Sequence, residues 1–134
     1  GFSPMGVRTW LPVNPNYAQG VNAAEEQNDP HSMLNFYRQM LRVRRQNPAL
    51  IHGKYKPLLE MSKDILAFLR QSDVPEQTCL VVLNFSDQAH QIDLDLPAER
   101  ARCVFSTHRS ANEVVPINSL KMAPFEILIG KLNS

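Results

Sequence analysis

The spacing of the apolar residues changes near residue 49, and no other feature of this sequence constrains the fold as strongly. Between Asp29 and Asn47 the apolar residues recur every three or four positions, as they do along one face of an α-helix. From Ala49 onward they alternate with polar residues, a period typical of half-buried β-strands. The sequence therefore predicts one amphipathic α-helix followed by a mainly β domain.

The helix is predicted over residues 29–47. Asp29 suits the N-cap, Pro30 suits the first helical position, where a missing N–H costs nothing, and Asn47-Pro48 ends the element. The apolar stripe of this helix consists of Met33, Leu34, Tyr37, Met40 and Leu41, with Phe36 and Val43 beside it. A stripe of this width predicts that the helix packs against a partner surface.

Residues 1–28 precede the helix and are rich in proline, asparagine and glycine. Pro12 and Pro15 exclude a regular helix in this segment. We expect an irregular loop that is ordered where its aromatic side chains, Trp10 and Tyr17, find something to pack on.

Six strands are predicted in the rest of the chain, separated by turn-forming residues. They are Tyr55–Met61, Ile65–Arg70, Cys79–Phe85, Gln91–Leu96, Arg102–Ser106 and Phe125–Leu132. Short strands at this spacing favour an antiparallel meander or Greek-key β-sandwich. In the fourth strand the apolar residues should face the core, and Asp93 and Asp95 should face solvent.

The charge balance argues against two classes of partner. The net charge of +1 gives no global electrostatic reason to bind nucleic acid or an anionic membrane. Arg38, Arg42 and Arg45 share one face of the predicted helix, but a nucleic-acid-binding helix would need basic support from other elements. No apolar run approaches the roughly 20 residues that span a bilayer, and the N-terminus lacks the layout of a signal peptide. We therefore expect a cytoplasmic protein without nucleic-acid or membrane partners.

The two cysteines, Cys79 and Cys103, lie in separate apolar runs without C-x-x-C spacing. We favour two reduced, buried thiols. A Cys79–Cys103 disulfide stays open if their strands are neighbours.

No residue pattern predicts a catalytic site. Asp93 and Asp95 share a strand face roughly 7 Å apart, which is near the about 6.5–9.5 Å of an inverting glycosidase pair. Any strand with acids on its wet face produces that spacing, so a solvated face is the favoured interpretation. Ser106-Thr107-His108 would offer a nucleophile and a base, but neighbouring strand residues point to opposite faces.

No cofactor or metal is predicted either. The four histidines, His31, His52, His90 and His108, have no partner at a metal-ligand spacing. We expect His31 and His90 to be exposed surface groups. The chain has only five glycines and no glycine-rich phosphate loop.

Three stretches of the sequence resemble the α-glucosidase branch of glycoside hydrolase family 13. They are Thr9–Tyr17, Asn22–Arg38 and Leu41–Leu50, and the resemblance runs almost unbroken over residues 1–53. More loosely, Val81–Ser86 and Met122–Ile129 resemble strands of the family's C-terminal sandwich. The branch includes oligo-1,6-glucosidases, maltases, sucrose-active glucosidases and trehalulose-forming relatives.

The resemblance implies that this chain is part of a larger fold. Residues 1–52 would be the last part of a (β/α)8 barrel, with loop 1–28 after the eighth strand and helix 29–47 as the eighth barrel helix. Residues 53–134 would be the C-terminal β-sandwich. The family's nucleophilic Asp, acid/base Glu and second Asp, and the calcium ligands of some members, would lie upstream, so no residue here inherits a catalytic or metal-binding role.

The first loop borders the sugar site in such relatives. Phe2 and Trp10 could therefore reach the outer substrate subsites, although packing of the loop is the favoured use of both. The sequence of Pro4–Arg8 differs from the one common in the family, so this loop does not indicate which glycosidic linkage the parent prefers.

By this resemblance, the chain would be an inactive C-terminal portion that supports a catalytic barrel through the helix stripe. The parent would cleave or transfer α-glucosyl groups with retention. In a chain without the barrel, the helix should fold back so that its stripe packs on the sandwich, or the chain should self-associate.

Two other functional classes stay open. One is a freestanding carbohydrate-binding module, which usually presents a row of exposed aromatic residues. Phe68, Phe85, Phe105 and Phe125 lie in apolar strands, so core packing is their expected use. The other, a nucleic-acid binder with a basic helix, is the least favoured.

Overall fold

The computed structural model describes residues 6–59 and 62–133. The chain divides into two compact units, Gly1–Arg42 and Val43–Ser134. The second half of the sequence carries nearly all of the β-structure.

The first unit is a loop with two short helical turns that leads into a longer helix. A 3-10 turn spans Pro15–Gln19, and α1 spans Ala23–Glu26. The Asn22 side chain accepts a hydrogen bond from the N–H of Glu25 at 3.0 Å, which caps α1. The segment predicted as an irregular loop therefore contains two helical turns.

The long helix, α2, spans Met33–Gln46 and begins later than predicted. Ser32 is the N-cap, because its Oγ accepts from the N–H of Asn35 at 3.3 Å. Asp29 instead accepts from the N–H of His31 at 2.9 Å and closes the turn before the helix. The assignment of Asp29 and Pro30 to the first turn is wrong, since Ser32 is as good a capping residue and lies closer to the stripe.

Helical structure also continues past the predicted end. A short helix, α3, spans Pro48–His52, with Pro48 in its first turn. The Asn47 side chain donates to the carbonyl of Val43 at 2.7 Å, and the Arg44 guanidinium donates to the carbonyl of Leu50 at 2.9 Å. The proline starts a further helix here, so the expectation of a single helix is wrong.

Eight antiparallel strands follow in two sheets within the described residues. They are β1 Lys54–Pro57, β2 Ile65–Gln71, β3 Cys79–Asn84, β4 His90–Ile92, β5 Arg100–Ser106, β6 Val114–Pro116, β7 Leu120–Met122 and β8 Ile127–Asn133. The larger sheet has the order β1-β2-β3-β8-β5-β6, and β4 pairs with β7 in the smaller one. Crossovers that place β8 between β3 and β5 agree with the predicted Greek-key type of β-domain.

Side chains from both sheets share one core. Its largest fully buried members include Leu80, Leu94, Leu120, Met122 and Leu128. Only His90–Ile92 of the predicted fourth strand pairs in a sheet. The alternation along that segment is nevertheless confirmed, because Leu94 is buried whereas Asp93 and Asp95 are exposed.

Other strand predictions also failed. β6 and β7 were missed because each pairs over only three residues. β8 begins at Ile127, since Phe125 has a φ of +52° and cannot continue a strand. The first strand ends at Pro57, and the end predicted at Met61 lies outside the described residues.

Cys79 and Cys103 are free and buried, as favoured. β8 lies between the strands that carry them, so the condition for a disulfide is not met. Burial is the main cause that raises the pKa of both thiols.

Candidate functional site

The loop before α1 presents the most exposed aromatic side chain of the described residues. Trp10 is 94% exposed and Tyr17 is 49% exposed, so neither packs the loop as expected. Val7, Leu11 and Val13 are exposed beside them. Five apolar or aromatic side chains of this segment are therefore exposed. Phe2, the other predicted contact, lies outside the described residues.

Polar side chains hold the end of this loop. The Asn22 amide donates to the carbonyl of Tyr17 at 2.8 Å and to a Glu25 carboxylate oxygen at 3.0 Å. Asn35 of α2 donates to the carbonyls of Glu26 and Asp29, at 2.9 and 2.7 Å. These hydrogen bonds hold the segment between the 3-10 turn and α2 in place. Asparagine side chains therefore stabilise the conformation of this segment.

The predicted stripe of α2 is only partly covered. Met33, Tyr37 and Leu41 lie on one ridge and are 64%, 62% and 56% exposed. Leu34 and Met40 are half-buried. Three apolar side chains in a line along α2 are thus left largely uncovered within the described residues.

The sequence-derived acid pair gains no support from the structure. Asp93 and Asp95 are exposed on the solvent side of their segment, and neither lines a described cavity. The solvated-face interpretation agrees with this arrangement. Within the described residues no group of three or more His, Cys, Asp or Glu is placed to hold a metal ion.

The argument against Thr107 and His108 was geometrically wrong. The strand ends at Ser106, so the two side chains no longer alternate, and Thr107 Oγ1 lies 2.9 Å from His108 Nδ1. Both residues are exposed, and no described carboxylate contacts the His108 ring. A base without an orienting acid and a pocket does not form a triad.

A serine–histidine contact in another part of the chain was missed. Ser86 Oγ lies 2.9 Å from His90 Nε2, and Asp64 Oδ2 lies 3.6 Å from the same nitrogen. His90 is therefore half-buried and not the exposed group that was predicted. In a catalytic triad the acid would accept a hydrogen bond from the other ring nitrogen, Nδ1. In addition, Ser86 Oγ donates to Asn84 Oδ1 at 2.8 Å. These contacts stabilise the turn after β3.

The most buried charged group was also missed. Glu126 is 1% exposed and accepts from Arg109 Nε at 2.7 Å, Ser106 Oγ at 3.0 Å and the N–H of Ala123 at 2.8 Å. Arg109 also donates to the carbonyl of Lys121. Ser106 ends β5 and Lys121 lies in β7, whereas Arg109 and Ala123 follow these strands, so the network joins the two strands and their turns.

The aromatic residues of the strands divide into two groups. Phe105 is buried, and Phe68 packs against Tyr55 with ring centroids 5.1 Å apart. Phe85 and Phe125 are 63% and 61% exposed, so the prediction that they pack in the core is wrong. Both lie just outside a strand, where the alternation of faces no longer fixes the side chain.

No helix in the described part of the chain is long and apolar enough to cross a membrane. Arg38, Arg42 and Arg45 are all exposed, as expected for a solvated helix face.

Two family models match consecutive parts of the chain. Residues 1–53 match the α-amylase catalytic domain, and residues 56–129 match the C-terminal domain of maltogenic amylase. Only two residues separate the matches.

Known proteins give the same result. An oligo-1,6-glucosidase of Halalkalibacterium halodurans is 37% identical over 90 residues, which are 67% of this chain and 15% of that protein. An oligo-1,6-glucosidase of Bacillus cereus is 26% identical over 92% of this chain and 22% of that protein. The chain thus spans about a fifth of the length of the relatives it matches.

Among solved structures, the trehalulose synthase of Pseudomonas mesoacidophila superposes with a TM-score of 0.78 at 33% identity. The match covers 92% of this chain and 22% of that one. An isomaltulose synthase mutant of Erwinia rhapontici superposes with a TM-score of 0.75 at 28% identity, over 93% of this chain. The chain therefore belongs to the α-amylase family, glycoside hydrolase family 13, and corresponds to its C-terminal portion, the end of the catalytic domain followed by the C-terminal domain.

Proposed function

We propose that this chain is the C-terminal portion of an α-glucosidase-type enzyme and carries none of its catalytic residues. The observation that carries the proposal is the pair of consecutive matches, to the end of a catalytic domain and to a C-terminal domain. The division that we propose, a barrel part over residues 1–52 and a β-sandwich over residues 53–134, is supported by the same ranges.

The proposed role is structural support of the catalytic barrel. The contact would be made by the helix stripe, Met33, Leu34, Tyr37, Met40 and Leu41. Three of these side chains are more than half exposed. Full burial of a side chain of this size stabilises a fold by roughly 1.5–3 kcal/mol relative to full exposure, so this ridge can contribute substantially to a domain contact.

The parent enzyme would cleave or transfer α-glucosyl groups with retention, through a covalent glucosyl-enzyme. Relatives named oligo-1,6-glucosidase support hydrolysis, and those named trehalulose and isomaltulose synthase support transfer. We also propose a cytoplasmic location, which the two free thiols support, since disulfides are rare in that compartment.

Trp10 and Phe2 are the proposed contacts to the outer part of the substrate. The support is the exposure of Trp10 on a loop whose end is fixed by hydrogen bonds. An indole that is almost fully exposed among the described residues is available to stack on a sugar ring.

Product analysis of the complete protein tests the proposed activity. Isomaltose and sucrose would be supplied separately, and the first-released glucose anomer would be followed by NMR. We expect the α-anomer from hydrolysis, or an isomerised disaccharide from transfer. Initial release of the β-anomer, or no consumption of any α-glucoside, would contradict the proposal.

A freestanding carbohydrate-binding module is the second candidate. The exposure of Phe85 and Phe125 favours it, because sugar-binding modules present exposed aromatic rings. Titration of the chain with a maltooligosaccharide, followed by calorimetry, decides the matter. Saturable binding that Phe85→Ala and Phe125→Ala abolish would support a module, and absence of binding would exclude it.

A further inference from the structure

A cavity of about 320 Å³ lies at the end of the β-domain where β2 ends and β3 begins. Its walls come from Leu69 of β2, Leu132 of β8, Leu96 and Ala98 in the segment after β4, and the 3-10 turn Pro75–Gln77. All of the residues that line it lie in the second compact unit, so the cavity belongs to the β-domain alone. Its volume is within the range of small-molecule pockets, about 300–1,000 Å³.

The walls of this cavity are aliphatic. Leu69 is buried in the core, and Leu96, Ala98 and Leu132 are half-buried against that core. No aromatic ring is found among the described residues that line the cavity. A pocket for a sugar usually presents an aromatic ring for stacking. The walls therefore favour a ligand with an aliphatic body over a sugar.

Four polar side chains also line the cavity, Lys56, Gln71, Glu76 and Thr78. Thr78 is 6% exposed, and its Oγ1 accepts a hydrogen bond from the N–H of Ser72 at 3.2 Å. A hydroxyl can donate one hydrogen bond as well as accept, yet the O–H of Thr78 has no acceptor within residues 6–59 and 62–133. A buried donor without an acceptor is unfavourable, so this hydroxyl is available to an acceptor atom of a ligand.

Lys56 and Glu76 bring opposite charges to the same cavity. Lys56 pairs with Leu69 across β1 and β2, and directly paired residues share a face of the sheet, so its side chain lies on the core side. Glu76 lies in the 3-10 turn. Neither charged group has an ion-pair or hydrogen-bond partner in the part of the chain that the structure describes. A ligand that carries both a carboxylate and an ammonium group would satisfy the two residues together.

We propose that this cavity binds a free α-amino acid with an aliphatic side chain. The carboxylate of the ligand accepts hydrogen bonds from the Lys56 ammonium and the Thr78 hydroxyl. The Glu76 carboxylate accepts from the ammonium group of the ligand. The aliphatic side chain of the ligand lies against Leu96 and Leu132. This site does not depend on the proposed function, because every residue that forms it belongs to the β-domain.

A structural role accounts for only one of these residues. β1 is an edge strand of the larger sheet, and an inward-pointing lysine on an edge strand can prevent pairing with another chain. That role would explain Lys56. It explains neither the unused donor of Thr78 nor the carboxylate of Glu76 at the same cavity.

Titration of the 134-residue chain with L-leucine, followed in amide NMR spectra, tests the proposal. We expect saturable shifts of the amide signals of Glu76, Thr78 and Ala98. Two analogues each lack one charge of leucine: 4-methylpentanoate has no ammonium group, and 3-methylbutylamine has no carboxylate. Each should bind about tenfold more weakly than leucine, because one charge-assisted hydrogen-bonded contact is lost.

Glycine keeps both charges without the aliphatic body, so it should not saturate the site at the concentrations at which leucine does. The absence of saturable leucine binding would overturn the proposal. Equal binding of leucine and its three comparison ligands would also overturn it.

Variants identify the two charged contacts. Lys56→Gln and Glu76→Gln should each weaken leucine binding about tenfold. In Glu76→Gln, 4-methylpentanoate should bind as well as leucine, since the ammonium group no longer has its partner. The matched control is Lys63→Gln, which removes an exposed lysine that does not line this cavity and should leave binding unchanged. Equal effects of Lys56→Gln and Lys63→Gln would contradict a specific site.

Calorimetry of the complete protein with leucine repeats the measurement, and we expect a similar dissociation constant. An active complete enzyme that does not bind leucine would overturn only this proposal. An inactive one that binds leucine would overturn only the proposed function. Unchanged leucine binding by Lys56→Gln, together with self-association of that variant, would assign Lys56 to protection of the sheet edge and would contradict its role in the site.

Discussion

Nε of Arg109 lies 2.7 Å from Oε1 of Glu126, a carboxylate that is only 1% exposed. The two residues connect the turn after β5 with the turn before β8. A carboxylate in such a place must be paired and hydrogen-bonded, because an isolated buried charge is very costly. This ion pair is therefore a structural requirement of the sandwich and has no part in the proposed chemistry.

Arg109→Ala should lower the free energy of unfolding by about 3–5 kcal/mol, since it leaves a buried carboxylate without its cation. Urea unfolding followed by circular dichroism measures the change. The matched control is Glu113→Ala, whose carboxylate lies 3.6 Å from Arg109 and is 43% exposed. Solvent screens that pair, so we expect a loss below about 1 kcal/mol. Similar losses from both variants would show that the buried Arg109–Glu126 pair contributes no more to stability than the exposed Arg109–Glu113 pair.

Gly53→Ala should destabilise the chain by roughly 1–3 kcal/mol through overpacking. A Cβ at this position would lie 2.5 Å from the carbonyl oxygen of Ala49 and 2.8 Å from that of Gln71. Gly130→Ala is the milder comparison, because its Cβ would meet the Ala101 side chain at 3.1 Å. Thermal unfolding ranks the two. A larger effect at Gly130 would contradict the close approach of α3 to β2.

The buried thiols predict a pH dependence at the alkaline end. Burial raises the pKa of Cys79 and Cys103, and for Cys103 the Glu113 carboxylate adds to the effect. The folded state thus keeps these protons longer than the unfolded state. Their contribution to stability is complete below the ordinary thiol pKa of about 8.5 and is lost as the pH rises above it.

The check is urea unfolding at about pH 7 and about pH 9.5, for the wild type and for the double variant Cys79→Ala, Cys103→Ala. We expect the loss of stability at alkaline pH to be smaller in the double variant, because other titrating groups are common to both. The same pH dependence in both proteins would show that the thiols do not contribute to the change in the free energy of unfolding.

Trp10→Ala should leave the free energy of unfolding of the chain within about 0.5 kcal/mol, since the indole is 94% exposed. If Trp10 contacts the outer part of the substrate, the same substitution in the complete protein should raise KM for a trisaccharide. KM for 4-nitrophenyl α-glucoside, which is shorter, should change less. An unchanged KM for both substrates would leave Trp10 without a role in binding.

The sequence predicted the elements whose pattern is long and regular. The stripe of α2 and the alternation of β5 extend over enough residues for the period to be clear, and β2 and β3 contain continuous apolar runs. β6 and β7 pair over three residues, which is shorter than any window in which a period of two can be recognised. Their existence depends on tertiary pairing.

The candidate site shows the same limit. Phe85 and Phe125 were assigned to the core because they continue apolar runs, but each lies one or two residues outside its strand. The Ser86–His90 and Arg109–Glu126 contacts join turns that are set by sheet topology, so spacing along the chain cannot indicate them. The run C-L-V-V-L was predicted as part of a strand, but the burial of neighbouring side chains on both of its faces was not.

The measurement that tests the central claim most directly is an assay of the purified 134-residue chain with 4-nitrophenyl α-glucoside, beside the complete protein at equal concentration. We predict turnover by the complete protein and none by the chain, because the proposed function assigns no catalytic role to the residues of this chain. Release of nitrophenol by the pure chain above the uncatalysed rate would contradict this account.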